Sequence, residues 1–132
     1  MHGGSTHFPI ALVFMSLLSD LAGYAWPGES RRRELHATGF YLIVAGALSS
    51  FGAVLSGLVI SKWEIVGTGL TAKHHLFVWP GFALMIAVAV WRVVAGREVS
   101  RRAFAVYLLA MALASALMAA AGYWGGEMLI GN

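Results

Sequence analysis

The stretch HATGFYLIVAGALSSFGAVLSGLVI, residues 36–60, contains no Asp, Glu, Lys or Arg. About 20 apolar residues span a ~30 Å hydrocarbon core, so this run reads as a membrane helix. Three further runs, 8–26, 75–95 and 103–124, have the same length and character. The whole chain of 132 residues is 59% hydrophobic and only 11% charged, where soluble domains carry about 25% charge. Open sheets leave unsatisfied edges in lipid, and the runs are too long for barrel strands. The expected fold is all-α: one integral four-helix membrane bundle over residues 1–132.

Charge placement orients that bundle. Arg31, Arg32 and Arg33 follow helix 1, and Arg97, Arg101 and Arg102 follow helix 3, with Arg92 just inside the helix end. The loop after helix 2 has only Lys62 and Lys73. The positive-inside rule predicts both termini outside and the arginine loops in the cytoplasm. The tryptophans fit two interfacial belts, Trp26 and Trp91 at one side and Trp63, Trp79 and Trp124 at the other. The basic balance is thus a topological signal, and nucleic acid is not expected as a partner. The first run lacks a basic n-region and a small-x-small cleavage site, so it reads as a retained helix. Absence of cysteine excludes thiol catalysis and iron–sulfur ligation by this chain. The expected location is a bacterial inner membrane.

Small residues are concentrated on helices 2 and 4, as at Gly39, Gly46, Ala116 and Ala120, and these two helices are expected to pack tightly. Helices 1 and 3 open on similar motifs, His7-Phe8-Pro9-Ile10-Ala11-Leu12 and the longer His75 to Leu84. A repeat of two-helix units would relate them by an axis along the membrane normal and set His7 and His75 across the bundle at equal depth.

Four of five histidines, His2, His7, His74 and His75, fall at the end away from the arginines. An imidazole at a membrane helix needs a partner or an interior position, and it is the commonest neutral metal ligand. Two facing helices with one histidine each can hold a haem iron from both sides. The candidate ligands of haem b are His7 and His75, with His74 as the alternative to His75. Adjacent residues point about 100° apart on a helix; the repeat favours His75, whereas room beside Gly81 for a flat macrocycle favours His74. Lys73 and Lys62 could neutralise propionates. Asp20, an acid inside helix 1, is expected to pair with His36 or an arginine of the first loop, or else to relay protons. The Gly125-Gly126 pair is expected to break helix 4.

With His2 before it and Asp20 after it, the His7-Phe8-Pro9 opening resembles a bacterial family of predicted four-helix membrane proteins catalogued as a domain of unknown function. That family commonly opens His-Pro-x-x-x-His-Phe-Pro, has a histidine at the start of helix 3, and closes helix 4 on a Gly-Gly pair. His2, His7, Asp20, His74 or His75, and Gly125-Gly126 match over the whole chain. Gly3 replaces the first proline, and Lys62-Trp63-Glu64 stands where an aspartate is often found. The resemblance implies the four-helix fold and loosely implies redox work, since some relatives are fused or adjacent to iron–sulfur or c-type cytochrome domains.

The leading functional expectation is therefore a b-type cytochrome or cytochrome-like electron-transfer subunit. It would work with other membrane subunits or as a homo-oligomer, in lipid, passing electrons between a quinone or haem in the membrane and a periplasmic electron carrier. A cofactor-free accessory subunit is the alternative, and a copper or zinc handling protein using the histidines is a third.

Overall fold

The computed structural model describes residues 2–96 and 99–130, with side chains from residue 6 onward. Arg97, one of the orienting arginines, and the side chain of His2 lie outside the described residues. Four helices follow in order: α1 (His2–Ala25), α2 (Glu29–Ile60), α3 (Gly69–Ala95) and α4 (Arg101–Ile130). All four are long and apolar enough to cross a membrane, and no strand occurs among the described residues. The chain is a four-helix membrane protein.

The helices outrun the apolar segments. α2 begins seven residues before His36 because its polar first turns are held on their own exposed face, by Arg31–Glu34 at 3.5 Å and Arg33–Glu29 at 3.7 Å. Glu29 also complements the positive helix N-terminus. α4 does not break at Gly125-Gly126 and continues to Ile130. Glycine is well tolerated in membrane helices, where water does not compete for backbone groups. α2 ends in a 6→1 and 5→2 hydrogen-bonded cap, Trp63 N–H to Leu58 at 2.7 Å and Lys62 N–H to Val59 at 3.2 Å. Lys62 takes the left-handed position at φ 52°, where glycine is usual.

α1 pairs most closely with α2 and α3 with α4; α1–α4 and α2–α3 close the ring, and α2–α3 is the sparsest of the four pairings. The small-residue helices α2 and α4 thus lie diagonally and do not pair with each other. Each uses its small residues against a bulkier neighbour instead. A side chain at Gly46 would meet Leu12 of α1 at 3.3 Å. Between the two ends a dry layer of Val13, Ile43, Met85 and Met111, all fully buried, fills the axis. The diagonal placement of α1 and α3 is the arrangement that the two similar helix openings require.

Candidate functional site

The two ends of the bundle hold different polar groups. At the arginine end Asp20 is fully buried, and all four helices meet on its carboxylate. His36 of α2 donates from Nδ1 to Oδ1 at 2.9 Å, and Arg92 of α3 donates from Nη2 to the same oxygen at 3.0 Å. Tyr107 of α4 donates its hydroxyl to Oδ2 at 3.0 Å. Arg92 also donates to the His36 carbonyl at 3.0 Å, and its guanidinium lies 4.9 Å from the Phe104 ring and 5.2 Å from that of Tyr107. A buried acid is tolerable only with such full pairing.

The local sequence makes room for this cluster. A Cβ at Gly39 would stand 2.6 Å from the Asp20 carboxyl, and one at Gly23 would stand 2.8 Å from the His36 ring. Ser16 donates to the Gly39 carbonyl at 2.8 Å, fixing α1 against α2 at the same level. The expected Asp20–His36 pair is present. The arginine, however, comes from α3 and not from the first loop: Arg31 and Arg33 pair with glutamates on the surface of α2. Tyr107 was not anticipated.

At the histidine end the helices enclose a cavity of about 500 Å³. Such a volume lies within the ~300–1,000 Å³ range of small-molecule and cofactor sites. Its lining includes His7 of α1, Ser50 of α2, His74 and His75 of α3, and Gly122 and Gly125 of α4. His7 is exposed, whereas the two α3 histidines are half-buried. His74 and His75 both reach this cavity although they are adjacent, their ring centroids 5.7 Å apart and planes tilted by 47°. His74 directs Nδ1 to the Ala121 carbonyl at 2.8 Å. The Nδ1 of His75 is buried and has no hydrogen-bond partner among the described residues. An unpaired buried polar atom costs about 1–3 kcal/mol, so this nitrogen is a local cost to the fold at the histidine end.

Two details differ from expectation. Gly81 makes no room for a macrocycle: a Cβ there would meet Leu117 and Met118 of α4 at 3.2 Å, so its space serves helix packing. Gly125 of α4 likewise makes room for a neighbour, since a Cβ there would lie 3.3 Å from the His74 ring. Lys73 places its ammonium 4.5 Å from the centre of the Trp124 ring, and Lys62 is exposed in the loop after α2. No group of three or more histidine, aspartate or glutamate side chains converges on one point among the described residues, so a bare copper or zinc ion has no donor set there. Trp79, which lines the cavity, donates its indole N–H to the Ile65 carbonyl at 2.8 Å and ties the α2–α3 loop to the cavity wall.

Residues 1–131 match a family model described as "Predicted membrane protein (DUF2231)". No curated protein and no solved structure matches the chain. With four membrane-spanning helices and a match over nearly its whole length, the chain belongs to this family of predicted membrane proteins.

Proposed function

We propose that the chain is an electron-transfer subunit, a b-type cytochrome or cytochrome-like protein, with haem b in the cavity at the histidine end. One observation carries this reading: imidazoles from two diagonal helices line one largely apolar cavity, and one of them has a buried, unpaired ring nitrogen. His7 and His75 are the residues that would hold the haem iron, with His74 in place of His75 if the α3 ligand is the neighbouring ring. A bound haem would supply one-electron chemistry. The chain's own part is to hold two imidazoles at set positions, exclude water with its apolar walls, and tie the wall to the loop through Trp79. Lys73 is the cation adjacent to these imidazoles in sequence, and it suits a propionate at the surface.

The arginine placement supports an N-out, C-out orientation in a bacterial inner membrane, which sets the haem near the periplasmic face. Electrons would then pass between a quinone or haem in the membrane and a periplasmic carrier, in company with other subunits or further copies of this chain.

Absorption spectra of the purified protein, oxidised and dithionite-reduced, test the reading. Sharp reduced bands of a bis-histidine haem are expected in wild type, and His7→Ala should lose them while still inserting in the membrane. Wild-type protein without haem, or an unchanged spectrum in His7→Ala, overturns it in favour of a cofactor-free accessory subunit.

A further inference from the structure

The arginine end carries basic side chains outside the Asp20 cluster, and they are not equivalent. Arg31 and Arg33 are engaged by Glu34 and Glu29. Arg32, Arg101 and Arg102 are exposed and have no carboxylate partner among the described residues. Two of these three continue the interior rows of their helices. Arg32 stands one turn before His36 on α2, and Arg101 stands one turn before Phe104 on α4. The rings of His36 and Phe104 touch, with centroids 4.7 Å apart, and Tyr24 of α1 stacks on Phe104 at 6.2 Å. These three rings roof the closed cluster, and the two arginines rise beside that roof from helices that meet one turn below. Arg101 is held in place: its Nε donates to the Tyr24 hydroxyl at 3.1 Å, and its guanidinium carbon lies 4.7 Å from the centre of the Tyr24 ring. Its Nη groups have no acceptor among the described residues. Both α2 and α4 begin at this end, so their positive helix termini add to the same field.

We propose that this roof seats the headgroup of an anionic phospholipid, of the phosphatidylglycerol or cardiolipin class, with Arg32 and Arg101 on its phosphate oxygens. A guanidinium fork matches phosphate geometry, and basic pockets between membrane helices are where such headgroups bind. The depth is right for a lipid. Trp26, half-exposed at the end of α1, marks the headgroup level, and Leu21 and Leu18, within two turns below Tyr24, are exposed apolar side chains for the acyl chains to cover. A zwitterionic lipid brings its own cation into a place that already holds unpaired cations. A free phosphate ion would meet the guanidiniums but leave Trp26, Leu21 and Leu18 uncovered. The headgroup would cross-link α1, α2 and α4 from outside, adding to the hold that the Asp20 carboxylate exerts from within. The proposal requires no cofactor at the other end of the bundle.

The test is native mass spectrometry of the purified protein from mixed micelles holding equimolar phosphatidylglycerol and phosphatidylcholine. Lipid retained by wild type should favour phosphatidylglycerol. Arg32→Gln and Arg101→Gln should each lower that preference about fivefold, the worth of one arginine at an anionic membrane surface. Arg31→Gln and Arg33→Gln remove the same formal charge from the same end, but from side chains already paired on the surface of α2. They should keep the preference within about twofold of wild type. All four positions are exposed, so the variants leave the core intact. Equal losses in all four variants would reduce the effect to net charge, and equal retention of the two lipids by wild type would mean that no site exists; either result overturns the proposal. Full displacement of phosphatidylglycerol by inorganic phosphate overturns it too, because the guanidiniums would then hold the free ion and not a lipid.

Discussion

The arginine end and the histidine end of this bundle use polar residues in opposite ways. At the first, one carboxylate collects a donor from each of the other three helices, and every group in the cluster is answered by another part of the same chain. At the second, half-buried imidazoles face a cavity, and one ring nitrogen is answered by nothing in the described chain. A closed polar cluster holds helices together; an open one waits for something else. Stability should therefore be concentrated at the arginine end and ligand binding at the histidine end, with the dry layer of Val13, Ile43, Met85 and Met111 separating them.

The largest effect should come from Asp20. Removing one partner of a buried ion pair leaves the other charge stranded, at about 3–5 kcal/mol. Asp20→Ala should accordingly lower thermal stability in detergent sharply, with Arg92 left in an apolar site. The apolar double variant Asp20→Leu, Arg92→Met should lose less than Asp20→Ala, because no charge is then stranded. If the double variant is the less stable of the two, the arginine end is not the closed cluster described here.

Next comes Gly39→Ala. The added methyl would fall 2.6 Å from the Asp20 carboxyl, on a side chain held by three donors. Overpacking of this kind costs about 1–3 kcal/mol. Gly52→Ala is the control, since a methyl there meets nothing within 4 Å. Equal thermal midpoints for these two variants would mean that the cluster yields freely.

Tyr107→Phe should cost less, about 1–2 kcal/mol, because it removes one hydrogen bond to a carboxylate that keeps its other two. Chemical denaturation in mixed micelles would read it. A loss as large as that of Asp20→Ala would make the tyrosine, and not the ion pair, the centre of the cluster.

How far the sequence discloses these two ends follows from what spacing can and cannot carry. The four helices are legible because an apolar run of membrane length has one interpretation. Asp20's need for a partner is legible because one acid in such a run cannot stay unpaired, and His36 is close enough in sequence to suggest itself. Arg92 and Tyr107 are not, since they stand 72 and 87 residues away. A usable signal exists: Asp20, His36, Arg92 and Tyr107 all lie within about two helical turns of the helix end at the arginine side of the bundle. Matching depth, in place of sequence proximity, would have selected Arg92 over Arg31–Arg33. The cavity was harder to foresee. It is lined by residues from all four helices, and Gly81, which the sequence suggests as a source of room, is consumed by contact with Leu117 and Met118.

The smallest expected change in stability is the most informative about the histidine end. His75→Leu keeps a similar volume and removes the buried Nδ1 that has no partner. Replacing an unsatisfied polar group with an apolar one of similar shape is nearly neutral or stabilising. The midpoint of His75→Leu without added ligand should therefore be no lower than that of wild type, in contrast to every variant at the arginine end. Its cost should fall on binding: loss of the bis-histidine haem spectrum, or transfer of ligation to His74, seen as a shifted and weakened spectrum. His74→Leu is the partner experiment, because that ring is bonded to the Ala121 carbonyl and its removal should lower the midpoint. If His75→Leu unfolds the bundle as Asp20→Ala does, His75 is a structural residue, and the contrast between a closed end and an open one fails.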